Sequence, residues 1–528
     1  GICVQSGNIQ CEIFGKQKND KLYRNCFELL GLLTRGHFLK KSTCILKWLV
    51  TCITAFSFSA CSPVVPVETL EPTNSPVATT TQITPSAPKH QTLQPTFTPK
   101  PVSKIQISEE ELRGSVIRFW HNWSGPAGDV VAAIIEDFNL NNPWKILAVE
   151  IYQGNLDQIN TEMISTKHGV EKPDLLVGYL HQAAAWDETL GVVDLNDYLA
   201  DPVWGYSVTE RAEFSPVFWE YDVIKGKRLG VPAQRSGYVL FYNQTWAREL
   251  GFQSVPLSAE EFTEQACAAA LVNNTDIEKE NDGTGGWVIS IEYPAILSWM
   301  YAFDAVIYRD NQSTPLQDFY QFDQPEVIHA YEFLKDLFDQ GCAWLPENPS
   351  PETYFSERRA LLASGSITDI PFFLDAMQRA GNTDEWTVLA YPGQDGLQTI
   401  DVYGTSFLVL KSTEKQQLAA WLLMKWLLKP EHQASLIQST YAIPLRASEE
   451  QYLNRIKSQQ PEWATAIDLL EKARVEPKLH SWSLVRWAVS DSAVQLFRSY
   501  TTLDQIPALV RYLNQTAAEL HEMSVEEQ

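Results

Sequence analysis

The sequence predicts an α/β protein with two lobes, and three observations lead to that prediction. Residues 115–190 alternate strand-like and helix-like patterns in the order βαβαβα, which is typical of a parallel, doubly wound sheet. This rhythm changes near Leu229, where two extended runs follow each other with only a short polar spacer. The body, from about Lys104 to Gln528, is also too long for a single hydrophobic core and should divide.

The elements of the first lobe follow from local patterns. Residues 116–120 form an apolar run that only Arg118 interrupts, as in a buried strand. A helical stripe runs through Val130, Val131, Ile134, Ile135 and Phe138 and ends near Asn141-Asn142-Pro143. Further strands are predicted at 146–151 and 175–177, and further helices at 156–166 and 181–190.

The chain then crosses between the lobes and enters a mostly helical region. Residues 229–232 and 238–242 are the two extended runs of the crossing. Ser258 and Glu261 form a capping-box pair at the start of one of the later helices. Helices are predicted at 244–250, 258–271, 325–340 and 414–428 and through most of the tail from Glu449, and strands at 367–370, 386–390 and 407–410.

The N-terminal region carries the pattern of an export signal. Lys40, Lys41 and Lys47 precede a short apolar stretch at 48–60, too short to span a bilayer as a helix. Its ending, Phe58-Ser59-Ala60-Cys61, resembles the bacterial lipobox, and a Pro/Thr-rich segment follows. We therefore expect 1–60 to be a signal or over-extended N-terminal region that is removed, and 61–103 to be a disordered tether with its lipid on Cys61. A buried helix or strand at 48–60 is the alternative, and the tether that follows it argues against that.

Composition excludes several classes of function. The formal net charge of −24 would repel nucleic acid and anionic membrane surfaces. Of the eight Cys, only Cys267 and Cys342 lie in the body, where export makes a disulfide between them the natural hypothesis and two separate buried thiols the alternative. No metal-ligand spacing occurs, so we expect neither metal nor cofactor.

Five stretches, in this order, resemble the extracellular solute-binding proteins of ABC importers, family 1. They are VIRFWHNWS at 116–124, GVPAQRSGYVLFYN at 230–243, the helix at 258–270, YGTSFLVLK at 403–411 with the helix after it, and QSTYAIPLR at 438–446. The sequence departs from the family where Tyr403-Gly404 replaces a frequent Gly pair, and 355–365 resembles its usual segment only faintly.

The resemblance implies a two-lobe, periplasmic-binding-protein-like fold of type II, in which each lobe has a central sheet flanked by helices. It places residues 104–234 and 398–446 in lobe 1, residues 235–397 and 447–528 in lobe 2, and a ligand cleft between them. It also implies a monomeric, non-enzymatic lipoprotein outside the cytoplasm, held to the membrane by its lipid alone. Such a protein captures a small solute, most readily a carbohydrate, and delivers it to an ABC permease. A lipid-anchored glycoside hydrolase or a carbohydrate-binding surface module remains the alternative.

Candidate ligand-binding residues come from the loops after strands, from the crossing and from the supply of aromatic side chains. Ligands of open α/β sheets bind at the carboxyl ends of strands, and sugars need flat apolar faces together with planar polar groups. Arg235 is the strongest polar candidate, with a structural ion pair as its alternative, and most of the 17 Trp must be core. The candidates are His121, Asn122, Trp123, Tyr179, Gln182, Gln234, Arg235, Ser236, Trp299, Phe372, Tyr403, Gly404, Tyr441 and Trp482.

Overall fold

The computed structural model describes residues 102–166, 171–309 and 318–526. The predicted export signal, Cys61 and nearly all of the tether lie outside the described residues. Within the described ranges, no helix combines the length and apolar character that a membrane span requires.

The first lobe is built on three parallel strands that alternate with helices. Strands β1 (Val116–His121), β2 (Leu147–Tyr152) and β3 (Leu175–Gly178) lie in the order β2-β1-β3. The helices that belong to this part of the chain are α1 (Glu109–Leu112), α2 (Gly125–Asn141), α3 (Leu156–Ser165), α4 (Leu180–Thr189), α5 (Asn196–Ala200), α6 (Val208–Ala212) and α7 (Pro216–Tyr221). The predicted βαβαβα order is confirmed.

Two long antiparallel strands connect the lobes. After the small hairpin β4 (Val223–Ile224) and β5 (Lys227–Arg228), β6 (Val231–Asn243) pairs first with β12 (Gln398–Val409) and then with β9 (Ala360–Ser366). The two predicted extended runs therefore belong to one strand. The polar spacer between them can stay in a buried strand because its charged residue, Arg235, forms a buried ion pair. β12 also pairs antiparallel with β3, so the sheet of the first lobe is not parallel throughout.

The second lobe continues the same sheet with β9, β7 (Gly285–Val288) and β8 (Ala343–Trp344). β10 (Trp386–Leu389) pairs with β6, and β11 (Tyr391–Pro392) pairs with β12. The helices of this part of the chain are α8 (Gln244–Glu249), α9 (Ala259–Thr275), α10 (Tyr293–Ala302), α11 (Pro325–Asp339), α12 (Pro351–Ser356) and α13 (Ile370–Ala380). A disulfide joins Cys267 of α9 to Cys342 beside β8.

One predicted strand of the second lobe is wrong. Residues 367–370 are a short 3-10 helix, Ile367–Asp369, that leads directly into α13. The hydroxyl of Ser366 accepts a hydrogen bond from the N–H of Thr368, and Asp369 accepts one from the N–H of Ser366. This reciprocal cap, followed by Pro371 in the first turn, starts a helix where the apolar pattern suggested a strand.

The C-terminal part of the chain is helical, as predicted, apart from one short strand. Its elements are α14 (Glu414–Leu427), α15 (Pro430–Thr440), α16 (Glu450–Gln459), α17 (Pro461–Asp468), β13 (Ala473–Val475), α18 (Trp482–Leu496) and α19 (Ile506–Glu526). The strand β13 runs parallel to β12. Helices α18 and α19 pack into the core of the second lobe through Trp482, Val489 and Val510. This packing places the face of α18 that carries Arg486 and Trp487 toward the first lobe.

Candidate functional site

A cavity of about 330 Å³ lies between the two lobes. Its lining combines amide, carboxylate, guanidinium and aromatic groups. Each lobe contributes some of these side chains. The residues that line it are Asn122, Asn155, Leu156, Asp157, Tyr179, Tyr293, Arg486 and Trp487. Such convergence of polar groups and rings in one cleft is typical of a small-molecule binding site.

The wall from the first lobe consists of segments that follow its three parallel strands. Asn122 follows β1, Asn155 to Asp157 follow β2 and begin α3, and Tyr179 follows β3 and precedes α4. The side chain of Asn155 caps α3 by accepting a hydrogen bond from the N–H of Gln158 at 2.9 Å. The carboxyl ends of parallel strands meet at one edge of a sheet, and this is why three distant segments share one wall.

The wall from the second lobe is aromatic and carries one cation. Tyr293 is the first residue of α10, and Arg486 and Trp487 lie on α18. The Arg486 guanidinium carbon lies 5.6 Å from the ring centres of both Tyr179 and Tyr293 and 5.0 Å from that of Trp487. Its NH2 is 3.6 Å from Oδ1 of Asp157, so Arg486 contacts groups of both lobes.

The tyrosines of the cavity remain protonated at neutral pH. Burial raises the pKa of Tyr179 to about 12, and burial also raises the pKa of Tyr293 well above its ordinary value. His181 stacks on Tyr179 with ring centres 5.2 Å apart, and burial lowers the pKa of His181 well below its ordinary value. Both tyrosines therefore offer hydroxyl donors, and His181 adds no charge behind them.

The sequence matches the model of a known family over most of its body. The family is described as bacterial extracellular solute-binding protein, and the match spans residues 133–467, more than half of the chain. The chain belongs to this bacterial family of extracellular solute-binding proteins. Family membership places this solute-binding protein outside the cytoplasm, among proteins that bind solutes rather than enzymes. No curated protein matches the sequence.

Solved structures with the same fold support this assignment of architecture. The sugar-binding protein MalE from Xanthomonas citri has a TM-score of 0.63 and 21% identity, over 78% of this chain and 100% of that one. The cyclic alpha-maltosyl-1,6-maltose binding protein from Arthrobacter globiformis has a TM-score of 0.63 and 16% identity, over 76% and 99%. UgpB from Mycobacterium tuberculosis, solved in complex with glycerophosphocholine, has a TM-score of 0.59 and 16% identity, over 77% and 99%. At these identities the similarity shows the two-lobe fold.

Two of the predicted ligand-binding residues of this solute-binding protein lie at the cavity, namely Asn122 and Tyr179. Their predicted neighbours lie behind the wall. His121 is 1% exposed and its Nε2 is 2.5 Å from Oε2 of Glu150. Trp123 stacks on His121 and donates from Nε1 to Oε1 of Gln234 at 2.6 Å. Gln182 accepts a hydrogen bond from the N–H of Tyr179, so it holds the start of α4 in place.

Arg235 forms a buried ion pair within this fold. Its guanidinium is 2% exposed and pairs at 2.9 Å with Asp222, whose side chain is 0% exposed. The other acceptors are the carbonyl oxygens of Gln234 and Thr405 and the hydroxyl of Ser406. These protein acceptors occupy both NH1 and NH2, which favours the ion-pair alternative over ligand binding. The neighbouring candidate, Ser236, also has a protein partner. Its buried hydroxyl lies 2.6 Å from the hydroxyl of Ser366.

The remaining candidates do not line the cavity. Trp299 is 0% exposed in the core of the second lobe, and Trp482, also 0% exposed, packs edge-on behind Tyr293. Phe372 is 61% exposed on α13. Tyr403 and Gly404 lie on β12 opposite Ser236 and Arg235, where a Cβ on Gly404 would overlap the carbonyl oxygen of Gln234. Tyr441 ends α15 in a left-handed conformation, and its carbonyl oxygen accepts a hydrogen bond from Trp463.

Six of the residues that line the cavity are not among the candidates predicted from the sequence. Asn155, Leu156 and Asp157 follow β2, and the rule that selected the loops after β1 and β3 applies equally to that loop. Tyr293, Arg486 and Trp487 lie on helices, outside any loop that follows a strand. Among the described residues, no group of three or more His, Cys, Asp or Glu side chains is placed to hold a metal ion.

Proposed function

We propose that this protein captures a sugar in the cleft by closure of its two lobes and delivers it to the permease of an ABC importer. The observation that carries the proposal is the cavity walled by both lobes, in which Arg486 of one lobe contacts Tyr179 and Asp157 of the other. A ligand held by both walls makes its full set of contacts only in the closed form. Binding therefore shifts the equilibrium toward closure, and the permease distinguishes the closed shape.

The lining of the cavity suits a carbohydrate. The rings of Tyr179, Tyr293 and Trp487 offer apolar faces, and the amides of Asn122 and Asn155 offer planar hydrogen-bonding groups. MalE and the cyclic maltosyl-maltose binding protein share the fold and are named for sugar ligands. These observations favour a sugar over an amino acid or a peptide.

The same lining argues against a glycoside hydrolase. Glycosidases place two carboxyl groups on either side of the scissile bond, at separations of roughly 5–9.5 Å. Among the residues that line this cavity, Asp157 is the only acid. The proposal is therefore a monomeric binding protein that releases its ligand unchanged.

A thermal-shift screen tests the proposed function. The purified protein is heated with mono- and oligosaccharides, glycerol phosphates and amino acids, and the melting temperature is recorded. A ligand at 100 times its Kd adds about 2.7 kcal/mol of stability, which raises the melting temperature by several degrees. Chromatography of the incubated sugar then separates binding from turnover. Product formation, or the absence of any shift across the saccharides, would contradict the proposal.

We further propose that a lipid on Cys61 holds the protein at the membrane, and that the Pro/Thr-rich tether lets it reach the permease. The lipobox-like sequence before Cys61 supports this. Expression of the full chain and of Cys61→Ser in a bacterial host, followed by fractionation, tests it. We expect the full chain in the membrane fraction and the variant outside it. Equal distribution of the two forms would contradict the anchor.

A further inference from the structure

We propose that the cleft selects a sugar that bears an anionic group, a carboxylate or a phosphate, and that Arg486 is the residue that recognises this group. The inference rests on the proposed sugar-binding function and narrows its ligand class. It follows from an incompletely paired guanidinium, from the helix termini around it and from the charges that face it.

The guanidinium of Arg486 is buried without a full set of acceptors. Arg486 is 6% exposed, and its Nε is buried and has no hydrogen-bond partner. The rings of Tyr179, Tyr293 and Trp487 surround it and fix its direction. A buried donor without an acceptor is costly, and a ligand carboxylate or phosphate would supply bidentate acceptors.

Among the residues that the structure describes, one carboxylate lies within ion-pair distance of Arg486, and it is a weak partner. The side chain of Asp157 is 72% exposed and its Oδ1 lies 3.6 Å from the guanidinium, beyond hydrogen-bond length. A pair whose acid is exposed and lies beyond hydrogen-bond length contributes little, so a ligand anion can replace Asp157 while its side chain turns toward solvent.

Two helices add positive potential at the same place. Asn155, Leu156 and Asp157 form the N-terminus of α3, and Tyr179 is the N-cap of α4, each helix having 10 residues. The first N–H groups of a helix have no acceptor within it, and the helix dipole places partial positive charge there. This arrangement favours an anion near Arg486.

The acids behind the cavity do not cancel this potential. Glu476 is 1% exposed and accepts a hydrogen bond from Nε1 of Trp482. Burial raises the pKa of Glu476 to about 7, and burial with the neighbouring Glu476 raises the pKa of Asp401 well above its ordinary value. Burial therefore favours the neutral form of both carboxyl groups, which weakens the negative charge behind Arg486.

Isothermal titration calorimetry of the full chain tests the inference. The probes are glucuronate, galacturonate, digalacturonate and glucose 6-phosphate, each compared with its neutral counterpart glucose, galactose or digalactose. A charge-assisted pair contributes about 1.5–3 kcal/mol, so we expect at least one acid to bind roughly tenfold or more tightly than its neutral counterpart. The uronates and the phosphate distinguish the two sources of negative charge. Raising the salt concentration should weaken only the binding of the acids.

Three variants separate recognition from structure. Arg486→Met should bring the affinity for the preferred acid down to that of the neutral sugar, and Arg486→Lys should keep part of the preference. Asp157→Asn should tighten the binding of the preferred acid severalfold relative to that of its neutral counterpart, because it removes a competing negative charge. Arg379→Met, a matched loss of charge on α13 whose side chain is 67% exposed, should change neither.

The outcomes distinguish the anionic preference from the proposed sugar-binding function on which it rests. Equal or tighter binding of neutral sugars overturns the anionic preference and leaves the sugar-binding function standing. Binding of acids that Arg486→Met does not weaken, in a variant with unchanged urea unfolding, overturns the role of Arg486. If no saccharide of either kind binds, both proposals fail.

Discussion

Arg235 and Arg486 are both more than nine-tenths buried, yet their surroundings differ. Arg235 lies in the strands that connect the lobes, where Asp222, Ser406 and backbone carbonyl groups accept its hydrogen bonds. Arg486 lies in the wall of the cleft, with aromatic rings around it, an exposed Asp157 beside it and no partner for Nε. The fold itself satisfies the first arginine, whereas the second depends on something outside the chain. Burial alone therefore does not distinguish the two arginines, whereas the state of their hydrogen-bond donors does.

The largest expected effect is the loss of the buried ion pair in Arg235→Met. The substitution leaves Asp222 buried without its cation, and breaking a buried pair on one side costs about 3–5 kcal/mol. Urea denaturation should show this loss in the free energy of unfolding. Arg486→Met should lose much less, since its nearest acid already lies in solvent.

The double variant Arg235→Met with Asp222→Leu is the control, because it removes both charges together. It should recover much of the lost stability. If Arg235→Met instead kept its stability and lost ligand affinity, the two arginines would have exchanged roles.

A smaller effect is expected from the disulfide of the second lobe. Cys267 and Cys342 are separated by 75 positions, and a cross-link of this span typically contributes about 2–4 kcal/mol by restricting the unfolded chain. The double variant Cys267→Ser with Cys342→Ser should lower the free energy of unfolding by that amount, which urea denaturation would show as a lower midpoint. Ligand affinity should persist below the unfolding transition, because neither cysteine lines the cavity. A loss of ligand affinity in the fully folded variant would show that packing in the second lobe does not position Arg486 without the disulfide.

The contrast between the arginines also explains how far the sequence alone could lead. The alternation of strands and helices before residue 190, the capped helix at Ser258 and the helical tail follow from local patterns, and the structure confirms them. The rule for the carboxyl ends of strands correctly selected Asn122 and Tyr179 for the cavity. These successes share one property, since each depends on neighbouring residues in the chain or on a single sheet edge.

The failures depend on contacts that only the folded chain shows. Asp222 follows α7, 13 positions before Arg235, and no local pattern identifies it as the counterion of Arg235. Arg486 lies on a helix more than 300 residues after Tyr179, and only the folded arrangement of the chain brings them into contact. Residues 367–370 show a local failure, in which an apolar pattern outweighed the Ser366 and Asp369 cap.

A third prediction concerns the exposed aromatic ring of the cleft. Trp487 is 47% exposed, contacts Arg486 and lines the cavity. Trp487→Ala removes an apolar face for a sugar and a cation–π contact of about 0.5–1 kcal/mol. We expect affinity to fall about five- to tenfold in calorimetry, with a small change in unfolding free energy. Tyr512→Ala, which removes an exposed ring of α19 outside the cavity, is the matched control. Equal losses in the two variants would contradict a specific role for Trp487.

The smallest expected effect is a pH dependence of the unfolding free energy, which arises from Glu476 behind Arg486. Burial raises the pKa of Glu476 from 4.5 to about 7, with Trp482, Arg486 and Arg235 acting in the opposite direction, and the pKa of Asp401 on β12 is raised as well. At Glu476 the folded protein therefore binds more protons than the unfolded chain between about pH 4.5 and pH 7. Consequently the contribution of Glu476 to the unfolding free energy falls as pH rises through this window and levels off above it.

Glu476→Gln keeps the shape of the side chain and removes its charge. We expect its unfolding free energy to vary less between pH 5 and pH 8 than that of the unsubstituted protein, as urea titrations at each pH would show. Glu449→Gln is the matched control, because Glu449 is also buried with its pKa raised to about 7, yet lies beside Arg446 and away from the cleft. Both substitutions should flatten the stability profile. Only Glu476→Gln should also change how the affinity for an acidic sugar depends on pH, because only Glu476 gains a negative charge near Arg486 as the pH rises. An identical pH profile of affinity in the two variants would show that the charge behind Arg486 has no influence on the ligand.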